Sequence, residues 1–184
     1  MRIGILGIGN IARRVLAVTA QGLEKILPET KCSVVSDVLA VPMYAYDRER
    51  RQYKSSLILN DVRTYGIEQR DFDRILGLID ADVYGLGLNY VFGEAYAPGI
   101  AGLVSLTRLR PEFYGEAANE ALFMQRLIKE SVHEMGHTLG LLHCPLNFCV
   151  MHFSNSIFEV DKKQSLFCDQ CYLNASLAIT DIGN

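Results

Sequence analysis

The 184-residue sequence lacks several features that would each assign a protein to a particular class. No apolar stretch approaches the roughly 18 residues that a helix needs to cross a bilayer, so we expect no membrane-embedded segment. The formal net charge of -3 and the absence of a run of like charges give no basic footprint for nucleic acid. There is no internal repeat, low-complexity tract or linker, so we predict one domain over residues 1–184.

Cysteine is also scarce, and its placement is uneven. The chain has 5 cysteines, an odd number, and four of them follow residue 143. This distribution does not fit a disulfide framework, and closely spaced cysteines in a reducing compartment more often bind metal. We therefore expect a cytoplasmic protein. Separately, we favour a monomer.

The first half of the sequence alternates between strand and helix patterns. Buried apolar runs predict strands at 2–6, 32–35 and 74–79, and three- and four-residue apolar steps predict helices at 8–27 and about 47–63. The order βαβαβ is typical of an α/β fold with crossover connections. We therefore predict a twisted mixed sheet packed by helices.

The second half is less regular. Residues 85–102 are rich in glycine and aromatic residues and predict an exposed loop around an edge strand, followed by a strand at 101–109. A long helix is expected from about residue 116 to Gly140. Residues 144–184, which hold four cysteines, look too polar to pack without help. We predict that residues 1–143 carry the sheet and an active-site helix, and that 144–184 form a small subdomain braced by metal.

A short glycine motif follows the first predicted strand. Gly7, Gly9 and Ala12 match the pattern G-x-G-x-x-A, and Asp37 ends the second strand, as in dinucleotide-binding folds. The pattern is short, however, and any tight turn from a strand to a helix favours glycine. An NAD-binding oxidoreductase is therefore the weakest of the alternatives.

A longer motif, H-E-x-x-H-x-x-G-x-x-H, lies on the long helix and just beyond it. Its residues are His133, Glu134, His137, Gly140 and His143. Positions i and i+4 lie about 6 Å apart along a helix, so the first two histidines can bind one ion. The third would lie roughly 15 Å up a straight helix. We therefore expect Gly140 to end the helix with a positive φ and to bring His143 back to the metal.

Three imidazole ligands on zinc leave one coordination position open for water. Zinc lowers the pKa of that water to about 7, and Glu134, beside the first ligand, can accept its proton as general base. This chemistry predicts hydrolysis of a carbonyl compound.

The four late cysteines have the spacing of a second metal site. Cys144 and Cys149 form C-x(4)-C, and Cys168 and Cys171 form C-x(2)-C, which suits a closed zinc with four thiolate ligands. Such an ion would brace the loop that presents His143. Reduced, buried cysteines are the alternative interpretation, and we assign Cys32, in a predicted strand, to the core.

Residues 131–171 resemble the archaemetzincin (archaelysin) family of metzincin zinc metallopeptidases. The resemblance rests on the histidine motif and its continuation through Cys144, Cys149, Met151 and the final Cys-x-x-Cys. It implies a zincin-like fold with Met151 beneath the histidines, although an ordinary core methionine fits equally well. By analogy with metzincins, a peptide would add to an edge strand above the metal, for which we predict residues 101–109.

Two function classes remain open. The first is a peptidase with two zinc ions, one catalytic and one structural, acting on a peptide or protein substrate. The second is a zinc-stabilised module that binds a peptide or protein with little or no turnover. The presence of Glu134 favours the enzyme. Tyr90, Tyr96 and Tyr172 are candidates for stabilising the oxyanion, and His152 is expected to be no ligand.

Overall fold

The computed structural model describes residues 1–183. These residues form eight strands and five α-helices, with short 3-10 turns at Met43–Ala45, Thr107–Leu109 and Pro111–Tyr114. The strands are β1 (Arg2–Ile8), β2 (Lys31–Leu39), β3 (Tyr46–Asp47), β4 (Gln52–Lys54), β5 (Arg74–Ile79), β6 (Val83–Tyr84), β7 (Gly93–Ala95) and β8 (Ala101–Ser105). The helices are α1 (Arg13–Ile26), α2 (Ser55–Glu68), α3 (Glu120–Thr138), α4 (Ile157–Lys162) and α5 (Asp169–Gly183).

Five strands form the main sheet in the order β2-β1-β5-β8-β7. The first four are parallel, and β7 is antiparallel to β8. Strands β1, β5 and β8 are almost entirely buried, because helices cover both faces of a parallel sheet. The predicted twisted mixed α/β sheet is therefore confirmed, and a smaller sheet of β3, β4 and β6 lies beside it.

Two predictions about the sheet were wrong. The helix expected at about 47–63 begins only at Ser55, because β3 and β4 pair as a short hairpin over the preceding residues. The strand predicted at 101–109 ends at Ser105 and is not an edge, since β8 pairs with β5 on one side and β7 on the other. The edge strand on this side of the main sheet is β7, which lies within the segment that the sequence indicated only as a loop around an edge strand.

The C-terminal segment packs on the rest of the chain. One cluster of buried apolar side chains runs from Ile3 in β1 through Leu127 in α3 to Val160, Ala175 and Ile179 in α4 and α5. The tail therefore contributes apolar residues of its own, which its polar composition had concealed. Among residues 1–183, no helix has the length and apolar character required to span a membrane.

Candidate metal and catalytic site

The site is built on α3 and on the turn that ends it. Asn119 caps the start of α3, where its side-chain oxygen accepts a hydrogen bond of 3.0 Å from the Leu122 amide. At the other end, Gly140 has φ +87°. The Gly140 amide donates to the His137 carbonyl (2.8 Å), and the Leu141 amide donates to the Gly136 carbonyl (3.1 Å). This is the Schellman pattern of hydrogen bonds, and it turns the chain back toward the helix.

The turn brings the three predicted histidines together. Each histidine contributes one ring nitrogen to a cluster in which the three nitrogens lie within 4.8 Å of one another. The three residues are His133, His137 and His143. The ring centroid of His143 lies 5.4 Å from that of His133 and 4.8 Å from that of His137. Helix geometry and the bend at Gly140 thus achieve the convergence that the motif predicts.

Hydrogen bonds fix the tautomers of the two helical histidines. Nδ1 of His133 donates to the Val150 carbonyl, and Nδ1 of His137 donates to the Leu141 carbonyl, both at 2.8 Å. A carbonyl can only accept, so each neutral ring carries its proton on Nδ1 and a lone pair on Nε2. The two Nε2 atoms face each other at 3.1 Å. Zinc ligands at about 2.05 Å in tetrahedral geometry would lie about 3.3 Å apart, so the residues fit a shared cation.

The protonation of the histidines also suits a metal site. Burial lowers the pKa of all three imidazoles, most strongly for His133, and the charge of Lys163 adds to the effect. Neutral imidazole is the form that binds a metal ion. The three side chains are therefore held in the ligating form at neutral pH.

Glu134 lies beside the histidines with its carboxyl group against the edge strand. A Cβ atom at Gly93 in β7 would lie only 2.5 Å from Oε1 of Glu134, so the strand and the carboxyl group are in direct contact. Burial raises the pKa of the Glu134 carboxyl well above its usual value, and the nearby carboxylates of Glu130 and Glu94 raise it further. A raised pKa makes this carboxylate a better proton acceptor once it is ionised.

The four late cysteines form a second, enclosed cluster. Their sulfur atoms all lie within 4.8 Å of one another, and Sγ of Cys144 lies 3.8 Å from Sγ of Cys168. Four thiolates at about 2.3 Å around zinc would be separated by about 3.8 Å, so this set also fits a metal ion. The Cys168 amide donates a hydrogen bond of 3.3 Å to Sγ of Cys149. Burial raises the pKa of the Cys149 and Cys171 thiols, so a cation would be needed to hold them as thiolates.

Backbone contacts join the two clusters. The Cys144 amide donates to the Met151 carbonyl (2.9 Å), and Nδ1 of His152 donates to the Cys144 carbonyl (2.9 Å). Met151 is fully buried and contacts Gly136 on α3, where an added Cβ would overlap its sulfur atom. His152 is outside the histidine cluster, as expected. The segment 144–152 is therefore anchored on both the cysteine and the histidine side.

A cleft of about 540 Å³ opens in front of the histidines, and one of the three candidate tyrosines lines it. That residue, Tyr90, already donates its single hydroxyl proton to the Asn155 carbonyl at 2.6 Å. Tyr96 faces Arg63, and Tyr172 lines a separate groove. The structure therefore gives no support to a tyrosine that stabilises an oxyanion.

The glycine motif near the N-terminus has a structural explanation. Gly9 has φ +74°, and a Cβ there would lie 2.7 Å from Cγ2 of Val41. Asp37 accepts a hydrogen bond of 2.8 Å from the Tyr65 hydroxyl. Gly9 and Asp37 thus have structural roles within the chain that need no nucleotide.

Sequence reasoning missed three charged residues at the site, of which Glu94 in β7 is one that lines the cleft. Glu130 lines the cleft, and its Oε1 atom lies 2.8 Å from Nζ of the fully buried Lys163. Glu130 could have been predicted at the site, because residues 130, 133, 134 and 137 share one face of a helix. No comparable signal marked Lys163, which lies 33 positions later in the chain.

Comparison with known proteins agrees with this geometry. The sequence profile of Peptidase family M54 matches residues 14–176. The chain is 40% identical to an archaemetzincin of Methanocaldococcus jannaschii, over 93% of this chain and 90% of that protein. The chain belongs to Peptidase family M54. It is accordingly a zinc metallopeptidase of the archaemetzincin type, as the resemblance of its motif indicated.

Solved structures show the same fold. A crystal structure of an archaemetzincin from Methanopyrus kandleri superposes with a TM-score of 0.85 at 32% identity, covering 98% of this chain and 96% of that one. A zinc-dependent peptidase from Methanocorpusculum labreanum superposes with a TM-score of 0.84 at 27% identity, covering 94% and 99%. The zincin-like fold predicted for this member of family M54 is therefore confirmed.

Proposed function

We propose that this M54 peptidase hydrolyses peptide bonds at a zinc ion held by His133, His137 and His143, with Glu134 as the general base. The observation that carries the proposal is the pair of Nε2 lone pairs of His133 and His137 facing each other at 3.1 Å, with Glu134 next to them. Zinc bound there would polarise a substrate carbonyl and lower the pKa of a water molecule.

Glu134 supplies the proton transfers. Its carboxylate lies at the inner end of the cleft, where it can accept a proton from the attacking water and pass it to the departing amine. The contact with Gly93 fixes its position, and the burial that raises its pKa strengthens it as a base.

Strand β7 offers the place for the peptide. One side of β7 pairs with β8, and within the described residues its other side carries no paired strand. An extended peptide can add to such an edge through main-chain hydrogen bonds. Because Gly93 contacts Glu134, a peptide bound there would have a carbonyl near the base.

The cysteine cluster has a structural part in this proposal. A second zinc on Cys144, Cys149, Cys168 and Cys171 would have no position left for a substrate. Through the Cys144–Met151 contact it would hold the segment next to His143. We also propose that the chain acts as one catalytic domain, since one apolar cluster includes residues from both the sheet and the C-terminal helices.

The substitution Glu134→Gln tests the proposal. It preserves the size of the side chain but removes the base, so we expect zinc content to be unchanged and peptide cleavage to fall by about 10²- to 10⁴-fold. Cleavage of a diverse peptide mixture, followed by mass spectrometry, measures the loss, and Glu120→Gln at the far end of α3 is the matched control. Full activity of Glu134→Gln would contradict the proposal. Zinc binding without any cleavage by the unmodified protein would favour the binding module.

A further inference from the structure

The cleft beside the histidines is bridged from one rim to the other. Tyr90 precedes β7 and Asn155 follows Met151, so the hydrogen bond between the Tyr90 hydroxyl and the Asn155 carbonyl joins two separate segments. The Tyr90 ring is held by Phe92, with centroids 5.4 Å apart, and by the Arg108 guanidinium, 4.1 Å from its centroid. This part of the cleft is therefore bounded by side chains that are fixed in place.

Tyr90, Phe92 and Phe153 give this cleft an aromatic surface, and two of its polar groups lack hydrogen-bond partners in the described part of the chain. Oγ of Ser154 is buried and has no hydrogen-bond partner in the described chain. Glu130 is 4% exposed, and its contact with Lys163 is purely electrostatic, because no donor within residues 1–183 makes a well-aligned hydrogen bond to its buried Oε1. Buried polar groups in native proteins are nearly always hydrogen-bonded. Two such groups on one cleft point to a ligand that donates hydrogen bonds.

The lining residues narrow the kind of donor to one that a carboxylate can bind. Three carboxylates line the cleft, those of Glu94, Glu130 and Glu134, and no lysine or arginine is among its lining residues. Lys163 is fully buried and offsets one of these charges, and the zinc ion proposed at the histidines would offset the other two, so a cationic side chain would meet carboxylate acceptors without a competing lysine or arginine in the lining. A carboxylate has about four acceptor positions, so Glu130 can bind a second cation while it remains paired with Lys163.

We propose that Glu130 is a specificity-determining residue that selects a basic side chain, lysine or arginine, in the substrate. Its carboxylate accepts hydrogen bonds from the cationic tip, and Ser154 accepts a further one. The aliphatic stem of the side chain packs on Tyr90, Phe92 and Phe153, as such stems do on apolar surfaces. The proposal rests on the proposed peptidase function and adds a substrate class to it.

The first experiment uses quenched fluorescent peptides that share one sequence and carry lysine, glutamine, norleucine or glutamate at either position flanking the cleaved bond. We expect kcat/KM for the lysine peptide to exceed that for norleucine at least tenfold at one of the two positions, as for a hydrogen bond between charged groups. The glutamate peptide is expected to be the poorest. Equal cleavage of the lysine and norleucine peptides at both positions would overturn the proposal and leave the peptidase function intact.

The double variant Glu130→Gln/Lys163→Met assigns the preference to Glu130. It removes both charges together, because removing Glu130 alone would leave Lys163 buried and unpaired. We expect the preference for lysine over norleucine, taken as the ratio of the two kcat/KM values measured in the same variant, to fall below threefold, whatever the change in overall turnover. Arg14→Gln/Glu120→Gln, which removes an exposed ion pair at the start of α3, is the matched control. An unchanged lysine preference in a folded double variant would overturn the proposal.

A binding measurement separates this proposal from the proposed function. Zinc-loaded Glu134→Ala protein is titrated against fluorescein-labelled lysine and norleucine peptides, with anisotropy as the readout. At least tenfold tighter binding of the lysine peptide supports the pocket even if the unmodified protein cleaves nothing, an outcome that would count against the peptidase function alone. Equal binding of the two peptides, or binding of neither, would overturn the proposal for Glu130.

Discussion

The histidine cluster and the cysteine cluster begin at neighbouring residues, His143 and Cys144, yet they differ in almost every physical respect. The histidines come from one helix and its terminal turn and face a cleft, with His143 itself exposed. Three of the four cysteines are buried, and they come from two loops and α5. An open site permits chemistry, whereas a closed one only stabilises. Two such sites can share one loop because His143 lines the cleft while Cys144 packs against the apolar core.

The largest expected effect separates activity from folding. His143→Ala removes a ligand from the open site only, so we expect peptide cleavage to fall to background and zinc content to fall from two ions to one. The melting temperature should fall by less than in the cysteine variant Cys168→Ser, because the lost side chain is exposed and the two remaining histidines lie on a formed helix. His152→Ala, at the remaining histidine, is the matched control and should keep both ions. Retention of two tightly bound ions by His143→Ala would contradict the assignment.

The closed site should show the reverse dependence. Cys168→Ser removes a thiolate ligand, and we expect loss of one zinc and a destabilisation of at least about 3 kcal/mol, since the metal stabilises the folded state. For a chain of this size that corresponds to about 6–12 °C in melting temperature, measured by scanning calorimetry. Cys32→Ser, outside both clusters, controls for the loss of a thiol. An unchanged melting temperature in Cys168→Ser would exclude a structural ion.

A third substitution displaces the proposed base, Glu134, from the side of β7. Gly93→Ala places a methyl group only 2.5 Å from Oε1 of Glu134, which is closer than van der Waals contact allows, so the carboxylate must move. A displacement of 1 Å in a catalytic group can cost about 100-fold in rate, and we expect kcat to fall by that order with both zinc ions retained. Gly183→Ala, where an added Cβ meets nothing, is the control. Wild-type kcat in Gly93→Ala would show that Glu134 needs no such placement.

The smallest effect concerns the bend between the two sites. Gly140 has room for a methyl group, because the nearest neighbour would be Cβ of Pro98 at 3.7 Å, but its φ of +87° disfavours any L side chain. Gly140→Ala should therefore destabilise the protein by about 1–2 kcal/mol and weaken zinc binding at the histidines more than at the cysteines. Gly140→Asn, which tolerates positive φ better, should lose less. Competition with a chelator measures both affinities, and equal weakening at the two sites would argue against a local effect.

Sequence reasoning located the two clusters because both follow local rules. Helix periodicity places His133 and His137 on one face. Glycine readily adopts a positive φ, so a bend at Gly140 could be predicted, and this bend brings His143 to the other two histidines. The main parallel strands were predicted for the same reason, since buried apolar runs are local signals. Strand β7 was not identified, because three residues, of which only one is apolar, form a strand only through pairing with β8. Lys163 was missed because its ion pair with Glu130 forms only through tertiary packing, which no local pattern in the sequence indicates.

The most direct test of the account is anomalous diffraction from crystals of the zinc-loaded protein, measured above and below the zinc absorption edge. We expect two peaks per chain. One is bonded to the Nε2 atoms of His133 and His137 and to His143 at about 2.0–2.1 Å, and the other to the four sulfur atoms at about 2.3 Å. A single peak, or one ion bonded to both His143 and Cys144, would contradict it.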